Sequence, residues 1–135
     1  MPQLLEQIHL LVTYALLGLI WTIQLVHYPS FRFVEENSFT SFEQFHTKSI
    51  AIIVMPLMLV ELTLVTILPF IFGFEDRYLI SFLIVVLIWM STFFLSVPCH
   101  ERLSRGKDLV TIERLVLTNW PRTVLWSLKA VLLCF

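Results

Sequence analysis

The chain has 135 residues, of which 58% are hydrophobic and 14% are charged, and its formal net charge is −1. A water-soluble domain of this size exposes too much of its surface to hide that many apolar side chains. The near-neutral charge also excludes the basic field that nucleic-acid binding requires. The composition, with a mean hydropathy of +0.85, therefore predicts an integral membrane protein that has no nucleic-acid partner.

Four apolar stretches are candidate membrane spans. Three of them reach the ~20 residues that an α-helix needs to cross the hydrocarbon core, and the last is short unless it begins before Pro121. The first stretch is predicted to be a retained span, because the preceding residues contain Glu6 and no basic n-region. The predicted helices cover residues 4–27, 40–72, 78–105 and 109–135.

Local signals set these boundaries. The segment TSFE at residues 40–43 has the form of a capping box, so the second helix is expected to start near residue 40. Gly73 and Gly106 are predicted to stop the second and third helices. Asp108 is the expected N-cap of the fourth helix, and Pro98 predicts a kink in the third.

The basic residues gather on one side of the predicted membrane. Seven of the nine lie in or near the first and third connections, and the positive-inside rule places those connections in the cytoplasm. The prediction is an all-α, single transmembrane domain over residues 1–135. It is a four-helix antiparallel bundle of the inner membrane with both termini outside the cytoplasm and helices that extend past the cytoplasmic face.

This topology brings three histidines to one membrane face. His27 ends the first helix, His46 lies near the start of the second, and His100 lies near the end of the third. Glu43 precedes His46 by three residues, which puts both side chains on one face of a helix. Neutral imidazoles with one carboxylate suit Fe, Cu or Zn, and two of the histidines could instead hold a haem. The alternative is that each histidine is an ordinary interfacial side chain.

The fourth helix contributes further candidates to the same region. Arg122 and Asn119 are predicted to orient a substrate, and Gln24 and Trp120 are predicted to contact a cofactor. An arginine below the interface usually faces the bundle interior and has a partner, because its cost in hydrocarbon is at least ~2.5 kcal/mol on insertion scales. Snorkelling of Arg122 toward the headgroups is the alternative.

Two more charged residues lie within predicted spans. Glu61 and Lys129 would be expensive in hydrocarbon unless they are paired, and they come to similar depths if the second and fourth helices are neighbours. Thr13 and Tyr14 could provide hydrogen bonds to Glu61. An ion pair is the favoured prediction over a proton relay, because the sequence suggests no chain of titratable groups from Glu61 to either face.

The first connection is rich in aromatic residues. Five phenylalanines and Tyr28 occur in residues 28–45. The segment is predicted to lie on the headgroup layer. The alternative is that it folds over the mouth of the bundle as a lid on an apolar ligand.

The motifs QLVHYPSF, FHTKS, MPLMLVE, VPCHERL and TNWPRTVLW give the chain a resemblance to small bacterial four-helix membrane proteins, and more loosely to the anthrone-oxygenase-like family. The N-W-x-R-T pattern at Asn119, Trp120, Arg122 and Thr123 carries most of this likeness. The resemblance implies a membrane-embedded oxygenase of polycyclic phenolic substrates.

The sequence thus predicts redox or oxygen chemistry on a lipophilic small molecule at a histidine-lined metal or haem site. Two alternatives belong to other classes of protein. One is a non-enzymatic carrier of a hydrophobic ligand, and the other is a structural or assembly subunit of a membrane complex. The bilayer and a lipophilic molecule are the expected partners, and an oligomer is compatible with the pattern.

Overall fold

The computed structural model describes residues 2–134 as four long helices joined by short connections. Helix α1 spans Pro2–Phe33, α2 spans Glu36–Phe72 and α3 spans Asp76–Leu103. Helix α4 spans Leu109–Leu132. The all-helical prediction is confirmed, and the predicted end of the fourth helix at Phe135 lies outside the described residues.

The first connection is much shorter than the sequence suggests. The prediction that the second helix starts near Thr40 is wrong, because α2 already begins at Glu36 after an extended Glu35. Packing explains the earlier start: Phe39 is fully buried in the core, which holds this turn against the bundle. Helix α1 likewise continues past residue 27 to Phe33.

The predicted stops and cap of the later helices are confirmed. Gly73 has a φ of 100° and Gly106 a φ of 153°, a region that residues with a side chain rarely enter. The N–H of Gly73 donates to the carbonyl of Pro69 at 3.0 Å. Asp108 caps α4, since its carboxylate accepts from the N–H of Val110 at 3.3 Å.

Two π-helical turns interrupt the long helices just before their prolines. One covers Ile23–His27 ahead of Pro29, and the other covers Thr92–Ser96 ahead of Pro98. A proline within a helix removes one N–H and crowds the carbonyl four residues earlier, and a widened turn relieves both effects. A π turn shifts the side chains that follow it around the helix axis. Such turns are frequent at functional sites, so the residues next to both turns are candidates for a site.

The four helices form a closed ring. Each packs against the next, and α4 packs against α1. His27 near the end of α1 contacts His46 in the first half of α2, whereas Thr13 of α1 contacts Lys129 near the end of α4. We call the end with the histidines the cluster end and the end near both termini the terminal end.

The bundle buries several charged side chains among its apolar core residues and has a largely apolar surface. Glu43, Glu61 and Lys129 are fully buried, whereas large apolar side chains such as Ile52 and Phe70 are about three-quarters exposed, at 76% and 75%. Helices α1, α2 and α3 are long and apolar enough to cross a membrane; α4 is not among the candidate spans in residues 2–134. This inverted polarity indicates a membrane protein, because lipid covers apolar surface that water would not.

Two basic residues, one in the last turn of α3 and one in the connection that follows it, stabilise the cluster end. Lys107 donates to the carbonyls of Arg32 and Val34 at 2.9 and 2.6 Å, which satisfies backbone acceptors at the end of α1. Arg102 pairs with Asp108 at 3.2 Å. The hydrogen bond that Asp108 accepts from Thr111 lowers the pKa of this carboxyl, and Arg102 acts in the same direction.

The substitution Asp108→Asn keeps a side chain that can cap α4 but removes the negative charge that pairs with Arg102. The variant should therefore have a lower Tm than the wild type at neutral pH. A lowered pKa in the folded state stabilises the protein above the unfolded pKa, and this contribution is lost as the pH falls through the folded pKa. The difference in Tm between wild type and Asp108→Asn should thus shrink to zero in acid. Glu101→Gln, at an exposed acid in the last turn of α3, is the control and should show no such pH-dependent difference. A difference in Tm between wild type and Asp108→Asn that persists below pH ~2 would contradict a stabilising charge on Asp108.

Candidate functional site: a histidine cluster

The three histidines predicted from the sequence meet in one place. His27 Nε2 and His46 Nδ1 lie 2.7 Å apart and share a hydrogen bond. The rings of His46 and His100 have centroids 5.4 Å apart. Since these residues come from α1, α2 and α3, the prediction that the fold gathers them is confirmed. We call His27, Glu43, His46 and His100 the histidine cluster.

Glu43 holds one of these rings in place. His100 Nδ1 donates to Glu43 Oε1 at 2.6 Å, and the carboxylate is fully buried. The other ring nitrogen, Nε2 of His100, lies 3.1 Å from the Tyr28 hydroxyl, and in the neutral ring with its proton on Nδ1 it accepts from that hydroxyl. A carboxylate, an imidazole and a phenol thus form a continuous hydrogen-bonded chain across three helices.

Two polar atoms of the cluster are buried and have no hydrogen-bond partner within residues 2–134. They are Nε2 of His46 and Oε2 of Glu43. A buried polar atom left unsatisfied costs ~1–3 kcal/mol, so each calls for a physical explanation. In this part of the chain no group of three or more His, Cys, Asp or Glu residues has a metal-holding arrangement. Four other nitrogen and oxygen atoms of the cluster are hydrogen-bonded within it, in the pairs His27 Nε2–His46 Nδ1 and His100 Nδ1–Glu43 Oε1, and His100 Nε2 is bonded to Tyr28.

An aromatic layer closes the cluster end. Phe31 is fully buried, with its ring 5.3 Å from His27 and 5.2 Å from His46, and it packs against Phe39. The prediction that the Phe-rich segment lies on the headgroup layer is wrong for these two side chains. It fits Phe33 and Phe45, which are 86% and 70% exposed. The buried half of the segment covers the histidines.

A groove opens from the cluster toward the side of the bundle. It lies between α1 and α2, has a volume of about 270 Å³, and is lined by His27, His46, Phe42 and Phe45 together with aliphatic side chains. Its walls are almost wholly apolar apart from the two imidazoles. We call it the lateral groove; it leads from the lipid-facing surface to the histidines.

Arg122 faces the interior, as predicted, and is only 5% exposed. Its guanidinium donates to Ser96 at 3.0 Å and lies 5.5 Å above the ring of Trp126. A cavity of about 130 Å³ is lined by Arg122, Ser96, Tyr28 and His100. The expectation that Arg122 shares a cavity with the histidines is therefore confirmed for His100.

Asn119 and Gln24 bind each other rather than the histidines. Gln24 Oε1 accepts from Asn119 at 2.8 Å and from Thr123 at 3.3 Å, and Gln24 Nε2 donates to the carbonyl of Val116. All three polar side chains are buried. This network ties α1 to α4 directly below the cluster. Gln24 makes no hydrogen bond to a histidine among the described residues.

Trp120 lies on the outside of the bundle, and its predicted contact with a cofactor stays a prediction. Its side chain is 39% exposed, and its ring packs edge-on against Trp21 at 5.9 Å on the outside of the bundle. The reason is helical geometry, because one residue rotates a side chain by ~100° around the axis. With Asn119 pointing inward, Trp120 is turned out of the interior.

The predicted pairing of Glu61 and Lys129 is confirmed. Lys129 Nζ lies 2.6 Å from Glu61 Oε1, and both side chains are fully buried. Thr13 joins the pair, accepting from Lys129 at 2.7 Å and lying 3.4 Å from Glu61, and Trp126 donates to Glu61 at 3.1 Å. We call these four residues the ion-pair network.

Two residues of the site escaped prediction as site residues. The sequence groups Tyr28 with the aromatic connection. Tyr28 directly follows His27 and the π turn Ile23–His27, which shifts the side chains after it around the helix axis. Ser96 carries no sequence signal beyond its position two residues before Pro98. Its hydroxyl lies close to a proline at the cluster end of α3, and this position was the only feature of the sequence that could have indicated a site residue.

No family model matches this chain, and no curated protein or solved structure compared with it matches either. The resemblance to the anthrone-oxygenase-like family therefore stays a prediction.

Proposed function

We propose that the protein is a membrane-embedded oxidoreductase that binds a transition-metal ion at the histidine cluster and acts on a lipophilic small molecule. The single observation that carries the proposal is the pair of unpartnered, buried ligand atoms, His46 Nε2 and Glu43 Oε2. A metal ion bound at the cluster would provide a partner for such an atom. Three imidazoles and a carboxylate are a donor set typical of Fe, Cu or Zn.

The hydrogen bonds around the cluster also fit a metal ion. Imidazole ligands commonly donate their second N–H to a carboxylate, which fixes the ring and raises its basicity. His100 has this arrangement with Glu43 at 2.6 Å. The histidine rings touch one another, with centroids 4.5 Å apart for His27 and His46. That spacing leaves no room for a haem plane between them, which favours a bare ion.

The lateral groove suggests how a substrate reaches this site. An apolar molecule dissolved in the bilayer would enter between α1 and α2 without crossing water and meet His27 and His46 at the inner end. A redox-active ion there would supply one-electron transfer or oxygen activation. Arg122 would orient a polar or anionic group of the substrate from the cavity that it shares with His100.

The proposed setting is the inner membrane, with all four helices crossing in antiparallel order and the cluster near the cytoplasmic face. Helix α4 would cross with Arg122 and Lys129 turned inward, where both side chains are buried and have partners. The excess of basic residues in the first and third connections supports this orientation.

A second candidate is metal-free acid–base chemistry at the same place. The chain Glu43–His100–Tyr28 has the form of a carboxylate–imidazole–hydroxyl relay, in which the imidazole is oriented by the acid and accepts from the phenol. In this case Tyr28 would be the reacting group, facing the cavity with Arg122.

Elemental analysis and an absorption spectrum of detergent-purified protein test the two candidates. The redox proposal expects close to one equivalent of Fe or Cu per chain, retained after dialysis, with occupancy unchanged in Tyr28→Phe. One equivalent of Zn would support a metal site at the cluster but contradict its redox role, because Zn²⁺ has no redox chemistry. Protein without bound metal even after incubation with each ion would reject the proposal. Loss of turnover in Tyr28→Phe by such metal-free protein would then favour the relay.

A further inference from the structure

We propose that Arg122 anchors a ligand site that takes the carboxylate of a long-chain fatty acid. The site is the cavity that Arg122 shares with Ser96, Tyr28 and His100, which we call the arginine cavity. The inference deepens the proposed function by naming the class of lipophilic substrate, and any reaction of that acid rests on the proposed function. Binding of the acid requires only Arg122 and the walls of the cavity.

Arg122 is a buried cation without an acidic partner. It is 5% exposed, and no carboxylate among the described residues forms an ion pair with it. The buried acid Glu43 is bonded to His100 instead. The other buried acid of this part of the chain, Glu61, is bonded to Lys129. An unpaired charge among apolar side chains is strongly unfavourable, so Arg122 calls for an anion from outside the chain.

The guanidinium of Arg122 has hydrogen-bonding capacity to spare. Its Nη1 donates to Ser96 at 3.0 Å, whereas its Nε is buried and has no hydrogen-bond partner among the described residues. In a guanidinium, Nε–H and Nη2–H form one edge, and this edge can donate two parallel hydrogen bonds to the two oxygens of a carboxylate. An alcohol or ketone would accept from this edge but would leave the positive charge unpaired. A carboxylate therefore suits Arg122 better than a neutral group.

Most other walls of the arginine cavity are apolar. They include Ile50, Val54, Met55 and Met58 of α2 and Val97 of α3. Methionine side chains are unbranched and polarizable, so they adapt to a flexible apolar ligand. One cation at the end of an apolar cavity complements an acid that carries a hydrocarbon chain.

The arginine cavity opens to the lipid-facing surface between α2 and α3, on the other side of α2 from the lateral groove. Met58 is 1% exposed, whereas Met55 and Val97 are 39% and 37% exposed, so the cavity runs from the interior to the surface. Its volume of about 130 Å³ is close to the ~150 Å³ of a protein cavity that holds one benzene molecule. A carboxylate with a few methylene groups fits this space, and the rest of the chain must extend into the bilayer.

The arginine cavity also reaches the histidine cluster. His100 lines it, and so does Tyr28, whose hydroxyl lies 3.1 Å from His100 Nε2. A carboxylate on Arg122 would hold the first carbons of the acid beside these two side chains. A divalent ion at the cluster would add positive charge near the same carboxylate and raise the affinity of the site for the acid.

Equilibrium binding of radiolabelled palmitate to the protein in detergent tests the inference, with unlabelled molecules as competitors. We expect one palmitate per chain. Hexadecanol has the same chain length and no charge, and it should bind at least about tenfold more weakly. Butyrate keeps the carboxylate but has a short chain, so it should also compete poorly. Phosphatidylglycerol should not displace palmitate, because its headgroup is too large for the cavity.

Each competitor has a result that would overturn the proposal. Hexadecanol that competes as well as palmitate would show that the charge is not recognised. Butyrate that competes equally well would mean that the site takes a small anion and not a fatty acid. Displacement of palmitate by phosphatidylglycerol would assign the site to a phospholipid headgroup.

Substitutions on α4 test the role of the cation. Arg122→Gln should weaken palmitate binding by at least about tenfold, and Arg122→Lys should lose less, because it keeps the charge but not the two parallel hydrogen bonds. Arg114→Gln, at an exposed arginine of the same helix, is the matched control and should keep the wild-type affinity. Wild-type affinity in Arg122→Gln would contradict the proposal.

A substitution at the mouth of the cavity decides the question if Arg122→Gln does not fold. Ala51 is exposed and lines the cavity, so Ala51→Phe should obstruct the hydrocarbon chain and weaken palmitate binding. Ile52→Phe is the control, because Ile52 is 76% exposed and does not line the cavity. Equal affinities in these two variants would overturn the proposed opening and the site with it.

Elemental analysis of the same samples separates this inference from the proposed metal centre. Palmitate bound by protein without metal would support the fatty-acid site and reject only the redox function. Protein that carries Fe or Cu but does not bind palmitate would overturn the fatty-acid site and leave the metal centre standing.

Discussion

Replacing Lys129 by Met alone is expected to lower the free energy of unfolding by about 3–5 kcal/mol, because the substitution leaves the charge of Glu61 buried without its partner. Glu61 and Lys129 are both fully buried and lie 2.6 Å apart, so water cannot replace the missing group. Thermal and denaturant unfolding of the purified protein in detergent measures the loss.

The double variant separates pairing from burial. Glu61→Gln with Lys129→Met should recover most of the loss, since the mismatch is removed and the amide oxygen still accepts from Trp126. The control is a cycle on Arg77 and Glu75, an exposed pair 3.0 Å apart whose coupling should stay below about 1 kcal/mol. Strictly additive losses at Glu61 and Lys129 would contradict a coupled pair.

His46→Ala is expected to reduce bound metal by at least about tenfold while the helical content stays at the wild-type level. Nε2 of His46 has no hydrogen-bond partner and would bind the metal directly. Removing the His46 side chain therefore removes a metal ligand, whereas removing a residue that only orients a ligand would have a smaller effect. The fold should persist because the three hydrophobic clusters of the core do not depend on this side chain. Metal content per chain and circular dichroism are the measurements.

His9→Ala is the matched control for that substitution. His9 is as buried as His46, at 3% against 5% exposed, but it lies at the terminal end. It should lose none of the bound metal. Equal loss of metal in both variants would show that any destabilisation of the bundle releases the ion, and the assignment of His46 as a ligand would fail.

Most of the helical layout was predictable from the sequence. Long apolar runs, two stop glycines and the Asp108 cap depend on local chemistry that acts over a few residues. The meeting of His27, His46 and His100 was also predictable, because alternating helices bring their ends together. The pairing of Glu61 with Lys129 followed from the cost of an unpaired charge among apolar side chains.

The parts that escaped prediction depend on rotation about a helix axis and on packing between helices. Trp120 follows the buried Asn119 by one residue, and that step of rotation about the helix axis turns its side chain outward. The start of α2 depends on the burial of Phe39 against the other helices, and a local capping motif carries no information on that packing.

An anomalous-difference map of the protein, recorded at the absorption edge of the bound metal, tests the metal centre most directly. We predict one peak inside the histidine cluster, bonded to His46 Nε2 and at least one other member, at about 2.0–2.1 Å from the nitrogens if the ion is zinc. Binding should break the 2.7 Å hydrogen bond between His27 and His46 if His27 is also a ligand. A crystal soaked in Fe, Cu and Zn that shows no peak there, with that hydrogen bond intact, would contradict a metal centre at this site.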